Sequence, residues 1–210
     1  MNNSKQDILN NLIKEPFINQ RILAAQTGHS LGIVNRSIKE LISEGYLDEE
    51  IRPTEKTLRE AKEKAPKNAI ILAAGFGMRM VPINTETPKG LLEIKGERLI
   101  ERTIRQLHEV GITEIYVVVG FMKEQYEYLI DEYGVELIVA PDYVSKNNLH
   151  SLAKELPQLG ETYLMPCDLW CRENPFSEYE WYSWYLVSDA KDPDSTVRVS
   201  RKWELVLAGG

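Results

Sequence analysis

The sequence is poor in cysteine and histidine, and it lacks a long apolar run. It contains two cysteines and three histidines among 210 residues. A chain of this length buries a sizeable core, so folding requires neither disulfides nor a structural metal. No apolar run approaches the ~18 residues that mark a membrane-spanning helix. The sequence therefore predicts a protein without a membrane span.

Two smaller absences concern targeting and metal binding. The polar residues 1–7 are not followed by the apolar core of a signal peptide, which predicts a cytoplasmic protein. Cys167 and Cys171 form a C-x3-C pair without a second pair of ligands, so the pattern of a tetrahedral zinc site is missing. We expect two unpaired thiols in a reducing compartment.

The composition that is present is typical of a soluble globular protein, with 43% hydrophobic residues, 27% charged residues and a formal net charge of −7. It argues against disorder and against a fibrous repeat. Residues 1–66 carry ten basic and ten acidic residues, whereas the remaining 15 basic and 22 acidic residues account for the whole −7. This acidity argues against a protein coated in nucleic acid but leaves room for a small local binding face.

A domain boundary is predicted near Pro66. A charged, helix-like run at residues 59–67 includes this proline, and the apolar run Ala69–Ala74 follows. Helices usually stop before a proline, and a short apolar run is typical of a buried strand. We therefore expect two domains, residues 1–66 and residues 67–210.

The first domain is predicted to be helical with a small wing. Gly28 suits a tight turn between two helices, Ser30 is a natural N-cap, and Gly45 is a helix stop. The predicted segments are a helix at residues 8–13 that ends before Pro16, helices at Gln20–Gln26 and about Leu31–Glu44, a hairpin of Tyr46–Leu47 with Ile51–Arg52, and a helix that opens within Pro53–Glu55.

These segments resemble the winged helix-turn-helix domains of bacterial regulators, especially in residues 26–30 and 40–47. In such domains the start of the third helix enters the major groove. The resemblance implies DNA contacts from Ser30, Asn35, Arg36 and Lys39, and Asn and Arg side chains suit base reading. Zero net charge weakens the attraction for phosphate. The alternative is a helical module that packs or forms a homodimer, and His29 is interpreted as a capping or surface residue.

The second domain alternates strands with helices, which predicts an α/β fold with a mostly parallel sheet. Ligands in such sheets bind beyond the carboxyl ends of the strands, so the loop after the first strand is the first candidate site. Strands are predicted at Ala69–Leu72, Glu114–Val119, Val135–Val139 and Thr162–Pro166, and helices at Leu99–Glu109, Lys123–Tyr133 and Leu149–Leu156.

The loop after the first strand is predicted to bind phosphate. Small residues let backbone N–H groups approach phosphate oxygens, and the candidates are Leu72, Ala73, Ala74, Gly75 and Gly77. No Gly-Lys-Ser/Thr ends the loop, so it is not a Walker A motif, and Met80 replaces the third small residue of a dinucleotide fingerprint. A plain strand-to-helix turn would explain the glycines alone about as well. Arg79 and Lys89 strengthen the interpretation as a phosphate site.

Residues 69–82 (AIILAAGFGMRMVP) and 87–102 (TPKGLLEIKGERLIER) resemble the nucleotidyltransferases that join a nucleoside triphosphate to a phosphorylated small molecule. Within that family, residues 117–126 and 141–152 are similar to bacterial phosphocholine cytidylyltransferases. The resemblance implies a Rossmann-like sheet and transfer of CMP from CTP to phosphocholine or a similar phosphorylated small molecule, with release of pyrophosphate. Domains of this family are normally longer, so we interpret residues 67–210 as a shortened form.

The resemblance also implies roles for individual residues. Arg79 would hold the leaving pyrophosphate, Lys89 would act as a point charge beside the α-phosphate or the incoming phosphate, and Asp168 would ligate Mg²⁺. Asn147 and Asn148 would bind the base, ribose or phosphate. A turn cap is the alternative for Asp168, and loop formation is the alternative for the two asparagines.

Three questions stay open from the sequence. The aromatic residues between positions 170 and 185 suit either a cage for a quaternary ammonium group or a packed core. Nothing in the glycine loop separates CTP from UTP or GTP, so a sugar-1-phosphate nucleotidyltransferase is an alternative. A second alternative is a nucleotide-sensing DNA-binding regulator whose transferase-like domain is inactive.

Overall fold

The structure, a computed structural model, describes residues 1–75, 86–120, 122–140, 159–187, 197–200 and 205–207. The chain begins with helices only, α1 (Asn3–Lys14), α2 (Gln20–Thr27), α3 (Leu31–Ser43) and α4 (Glu55–Glu63). The remaining elements are β1 (Asn68–Ala73), β2 (Glu93–Ile94), β3 (Glu97–Arg98), α5 (Leu99–Glu109), β4 (Ile115–Val119), α6 (Tyr128–Tyr133), β5 (Glu136–Val139), β6 (Thr162–Pro166), β7 (Val197–Val199) and β8 (Leu205–Leu207). Short 3-10 helices cover Lys89–Leu91 and Lys123–Tyr126.

Local capping explains where the first three helices begin. The side chain of Asn2 accepts a hydrogen bond from Lys5 N, and the side chain of Asn19 accepts from the backbone at the start of α2. Ser30 caps α3 by accepting from Ile33 N at 3.4 Å, and Gly28 supplies the left-handed turn before it with φ of 69°. Side-chain oxygens at these positions satisfy N–H groups that have no partner within the helix. The predicted helices and the predicted N-cap are confirmed.

The wing is smaller than the predicted hairpin. A single antiparallel bridge joins Leu47 to Pro53. The sequence predicted instead that Tyr46–Leu47 pairs with Ile51–Arg52. The turn between them is closed by the Asp48 carboxylate, which accepts from Arg52 N at 2.8 Å, and Ile51 takes a left-handed φ of 62°. Because the Asp48 carboxylate closes the turn, the antiparallel bridge forms at Pro53 and not at Ile51 or Arg52.

The central sheet is parallel, in the order β5-β4-β1-β6. β1 pairs with β4 on one side and with β6 on the other. Every residue of β4 is buried, and β1 is buried except at Leu72, which is half-buried. Such continuous burial is typical of a parallel sheet that is covered on both faces. The α/β fold predicted from the alternation of strands and helices is confirmed.

Two of the helices predicted for the second domain are not found as expected among the described residues. Residues 123–133 were expected to form one helix, but they form a 3-10 helix followed by the short helix α6. The helix expected at Leu149–Leu156 lies outside the described residues. Two antiparallel pairs, β2–β3 and β7–β8, accompany the central sheet.

Besides a small cluster of Ile70, Tyr116 and Val118, two larger cores hold the described elements. One core packs α5 against the face of the sheet that carries Ile71 and Val117. The other is formed by the helices of the first region, and Trp181 from the far end of the chain is part of it. The predicted boundary near Pro66 falls between α4 and β1 and stays a prediction.

The aromatic residues between positions 170 and 185 are divided between these cores and the surface. Phe176 is 8% exposed in the sheet core, and Trp181 is 4% exposed in the helical core. Gln6 Nε2 donates to Trp181 O at 3.2 Å, and the Tyr182 hydroxyl donates to Asp7 Oδ1 at 2.6 Å. We call residues 176–187 the connecting segment, because it contacts both the sheet and α1.

Among the described helices, none is long and apolar enough to cross a membrane.

Candidate functional site

The order of the strands places the candidate site at one edge of the sheet. β4 and β5 lie on one side of β1 and β6 lies on the other, so the strand order reverses direction between β1 and β6. In open α/β sheets a crevice forms outside the carboxyl ends of the strands at such a point, and ligands bind in it. Ala74 and Gly75 follow β1 at this edge, and Asp168 follows β6.

Lys89 and Asp168 meet at this edge of the sheet. Lys89 Nζ lies 2.7 Å from Asp168 Oδ2, and their side chains are 27% and 38% exposed. These exposures leave both charges accessible to a ligand. The sequence indicated each residue separately, and the structure brings them together across 79 positions. A single ammonium and a single carboxylate therefore face each other at the end of the sheet.

Backbone pairing and close packing position this ion pair. Cys167 N donates to Leu72 O at 3.1 Å, which extends the contact between β1 and β6 beyond Pro166 and brings Asp168 toward the loop after β1. Gly90 lies against Cys167, and a Cβ at position 90 would be 3.1 Å from the Cβ of Cys167. The turn that carries Lys89 is thus packed directly on the residue that precedes Asp168.

The thiol of Cys167, the residue before Asp168, is buried. Burial and the negative charge of Asp168 raise the pKa of Cys167 to about 12. The group is therefore a protonated thiol near neutral pH, and a thiol is a poor nucleophile and a poor metal ligand compared with a thiolate. Both cysteines are free, as predicted from their spacing. Burial also raises the pKa of the nearby Tyr126 hydroxyl above its ordinary range.

Arg102 anchors the loop that follows Asp168, and sequence reasoning missed it. Its guanidinium donates to Cys171 O at 2.8 Å and to Arg172 O at 2.8 Å. A second contact joins Arg102 to Glu97 Oε2 at 2.9 Å. Nothing local in the sequence marks this arginine, because its carbonyl partners lie on a distant loop. Arg102 belongs to α5, which packs on the central sheet. The loop that follows Asp168, the candidate metal ligand, is therefore fixed to the sheet core.

The ring of Trp170 is already covered by cations of the protein. Lys95 Nζ lies 4.7 Å from the ring centroid, and the guanidinium carbon of Arg102 lies 5.4 Å from it. Cation–π contacts of this kind stabilise the loop. Trp170 therefore contributes to the loop anchor that Arg102 provides.

The other predicted nucleotide-binding residues divide into two groups. Ala73 is buried and Leu72 packs on the second face of the sheet, so these two residues offer only backbone groups to a ligand. Ala74 is half-buried and Gly75 is exposed. The remaining candidates, Gly77, Arg79, Asn147 and Asn148, lie outside the described residues.

The metal-binding side chains among the described residues suit a metal ion that is bound jointly by the protein and by the phosphates of a nucleotide. Among the residues that the structure describes, no cluster of three or more His, Cys, Asp or Glu side chains is placed to hold a metal. Mg²⁺ is commonly held by one or two carboxylates together with substrate phosphates and waters. The half-exposed Asp168 carboxylate fits that arrangement, and a metal cage built from protein ligands alone is not present in the described ranges.

On α3, the four predicted DNA-contacting residues are not equivalent. Ser30 is used as an N-cap, and Asn35 Nδ2 donates to Gln20 Oε1 at 3.1 Å. Arg36 and Lys39 are exposed. His29 lies just before the cap and pairs with Asp7 Oδ2 at 2.8 Å. The exposed face of α3 therefore offers two cations to a phosphate backbone.

Two families match parts of the chain. Residues 69–181 match the MobA-like NTP transferase domain, and residues 1–48 match a winged helix-turn-helix DNA-binding domain. Both agree with the resemblances noted in the sequence.

Individual relatives and a solved structure match the transferase region. The choline-phosphate cytidylyltransferase of Streptococcus pneumoniae is 41% identical over 108 residues, which is 51% of this chain and 47% of that protein. A 2-aminoethylphosphonate cytidylyltransferase of Lancefieldella rimae is 42% identical over 105 residues, covering 49% and 43% of the two chains. The solved CTP:phosphocholine cytidylyltransferase of S. pneumoniae has a TM-score of 0.52 at 39% identity, covering 54% of this chain and 50% of that chain. The chain therefore spans about half the length of these relatives.

Proposed function

The chain belongs to the MobA-like NTP transferase family, and on that basis we propose that it transfers CMP from CTP to phosphocholine or a similar phosphorylated small molecule. The observation that carries the proposal is the Lys89–Asp168 pair, at 2.7 Å, in the crevice beyond β1 and β6. The choice of CTP and of a phosphorylated amine is supported by relatives named as choline-phosphate and 2-aminoethylphosphonate cytidylyltransferases.

The proposed reaction is a direct displacement at the α-phosphorus of the nucleotide. An oxygen of the acceptor's phosphate forms the new P–O bond, and the bond to the bridging oxygen of the β-phosphate breaks, so pyrophosphate leaves. The acceptor provides its own nucleophile, and no covalent enzyme intermediate is needed. This agrees with a protonated Cys167 beside the site. Catalysis then consists of positioning and of charge stabilisation.

Lys89 is proposed to supply the main positive charge among the described residues of the crevice. Its ammonium acts as a point charge and can approach either the α-phosphate or the incoming phosphate. Without substrate it is held by Asp168, and a half-exposed pair of this kind contributes only about 0–1 kcal/mol. The pair therefore opens at little cost when phosphate oxygens replace the carboxylate as partners of Lys89.

Asp168 is proposed to bind Mg²⁺ together with the triphosphate. When bound, the ion neutralises negative charge on the phosphates. Arg102 positions the loop that carries Asp168 by holding the carbonyls of Cys171 and Arg172. Arg79 remains the proposed partner of the leaving pyrophosphate, and Gly77, Asn147 and Asn148 the proposed nucleotide contacts.

A substrate screen tests this proposal. CTP, UTP, GTP and ATP are each combined with phosphocholine, phosphoethanolamine and glucose 1-phosphate in the presence of Mg²⁺, and pyrophosphate release is measured for this chain and for any longer form. We expect the highest rate with CTP and a phosphorylated amine. A higher rate with UTP and glucose 1-phosphate would favour the sugar-1-phosphate alternative. No release from any pair would favour the regulator with an inactive transferase domain.

A second function, DNA binding, is supported by the match of residues 1–48 and by exposed Arg36 and Lys39 on α3. Each lysine or arginine that contacts a phosphate releases about one counterion, so its loss lowers the salt dependence of binding. For the double variant Arg36→Ala/Lys39→Ala we expect weaker binding to a duplex at low salt. The slope of log affinity against log salt concentration should fall by about two.

A matched control for this experiment lies on α4. Arg59→Ala/Lys62→Ala removes the same charge from exposed positions away from the turn between α2 and α3. Fluorescence anisotropy with and without CTP distinguishes the two surfaces. Equal losses in both double variants would show that binding follows net charge alone, and the absence of binding at low salt would exclude the second function.

A further inference from the structure

The first turn of α3 exposes apolar side chains. Leu31 is 46% exposed and Ile33 is 38% exposed, and both lie just after the N-cap Ser30. A single exposed apolar residue is ordinary on a protein surface. Here two of them lie on either side of Gly32, which is also exposed. We call Leu31, Gly32 and Ile33 the apolar tip of α3.

Neither backbone conformation nor packing among the described residues accounts for the glycine at position 32. Gly28 and Gly45, before and after α3, have positive φ angles of 69° and 76°, a conformation that favours glycine. Gly32 instead lies within the regular helix, where glycine is less favourable than alanine. Within the described part of the chain, a Cβ at position 32 would meet nothing within 4 Å. The missing side chain therefore leaves room for a molecule outside the chain to approach the backbone of α3.

Two cations continue the face of α3 that Gly32 begins. Arg36 and Lys39 follow Gly32 at the spacing that places residues on one side of a helix, and both are exposed. The major groove of DNA admits an α-helix and is bordered by phosphates, which attract such cations. The start of the helix then faces the edges of the bases. The apolar tip therefore lies where a bound duplex would present its base edges.

Thymine is the base that an apolar tip can distinguish. Its C5-methyl group is the apolar group among the base edges of the major groove, and the side chains of Leu31 and Ile33 carry neither a donor nor an acceptor. Asn35, whose amide suits adenine, donates instead to Gln20 Oε1 at 3.1 Å. Burial of one methyl group changes an affinity by about fourfold. Contact between the tip and this methyl group would thus discriminate thymine from the other bases.

We propose that the start of α3 recognises thymine in the major groove through its C5-methyl group, with Leu31 and Ile33 as the apolar contacts and Gly32 as the point of closest approach. This inference rests on the proposed DNA binding and adds a base preference to it. Arg36 and Lys39 supply the phosphate contacts, which are independent of sequence.

Replacing thymine by uracil tests this contact, because it removes the C5-methyl group and leaves the base pairing unchanged. A duplex is enriched from a random-sequence pool by binding to the full chain. Its affinity is then compared, by fluorescence anisotropy, with that of the same duplex carrying uracil. We expect the uracil duplex to bind at least about fourfold more weakly. Equal affinities would overturn this inference alone, whereas no binding of any duplex at low salt would overturn the proposed DNA binding as well.

Variants locate the contact. Leu31→Ala/Ile33→Ala should bring the ratio of the two affinities close to one, with circular dichroism unchanged. Leu58→Ala removes a leucine that is 47% exposed on α4, and this matched control should keep the original ratio. Arg36→Ala/Lys39→Ala should weaken the binding of both duplexes equally. An unchanged ratio in Leu31→Ala/Ile33→Ala would contradict the proposal. If that variant instead lost a homodimer, with the ratio intact, the tip would be a contact between copies of this chain.

Gly32→Ala separates recognition from a structural role, since it should weaken DNA binding without weakening the fold. Alanine restricts the unfolded chain and meets no described neighbour at this position, so the urea midpoint of unfolding should not fall. The added methyl group occupies the space left for thymine, and the affinity for the enriched duplex should decrease by about tenfold. A lower midpoint, or an unchanged affinity, would contradict the role assigned to Gly32.

Discussion

Lys89→Ala is expected to lower the rate of pyrophosphate release from CTP and phosphocholine by about 10²- to 10³-fold. The lysine is the described cation that faces Asp168 at the carboxyl ends of β1 and β6. A fixed charge at the reacting phosphate stabilises the transition state, and alanine leaves that negative charge without its partner. The decrease should appear in kcat, because the substitution leaves unchanged the backbone contacts that we propose between the nucleotide and the loop after β1.

Matched variants separate this effect from loss of charge and from unfolding. Lys123→Ala removes an equal charge from an exposed position next to α6, and we expect nearly normal activity. Lys89→Arg keeps the charge but replaces the compact ammonium, so partial activity is expected. The stability of Lys89→Ala should change by no more than about 1 kcal/mol, since the pair with Asp168 is half-exposed. Full activity in Lys89→Ala would refute the assigned role.

Trp181→Ala should destabilise the helical region by about 3–5 kcal/mol. The side chain is 4% exposed and belongs to the core formed by α1, α2 and α3, although it comes from the connecting segment. Its removal leaves a large cavity in a small core, and such a cavity is only partly filled by relaxation. Urea unfolding measures the loss, and hydrogen exchange should show reduced protection in α1 and α3 before it falls in the central sheet.

Two further variants make the Trp181 result specific. Within the described residues the indole Nε1 of Trp181 has no hydrogen-bond partner, so Trp181→Phe should cost clearly less than Trp181→Ala. Tyr185 is 66% exposed on the same segment, and Tyr185→Ala should change stability by no more than about 0.5 kcal/mol. If Trp181→Ala were as mild as Tyr185→Ala, the connecting segment would not be part of the helical core.

The elements that could be predicted from the sequence are those with local signals. Ser30 and Gly45 bracket α3, and the structure ends this helix at Ser43, one residue before the predicted Glu44. The apolar run at 69–74 predicts β1 because both faces of that strand are buried. Caps and apolar runs act within a few residues, so the surrounding fold alters them little.

The predictions that differ from the structure depend on distant contacts. Residues 123–133 have the composition of one helix, but Tyr126 is fully buried near Gly90 and Cys167, and a 3-10 helix precedes α6. The aromatic residues between 170 and 185 gave two interpretations, a core or a cage, because composition does not show which rings are buried. Phe176 and Trp181 belong to cores, whereas Trp184 lines a cavity.

The sequence by itself determined the glycine loop after β1, the separate candidates Lys89 and Asp168, and the helix-turn-helix pattern of the first region. Only the tertiary structure decided that Lys89 and Asp168 lie 2.7 Å apart, that Arg102 holds the loop after Asp168, and that Trp181 completes the helical core. The physical reason is the range of the interactions. Caps, turns and apolar periodicity depend on neighbours in the chain, whereas an ion pair or a packed ring depends on a partner that folding alone brings near.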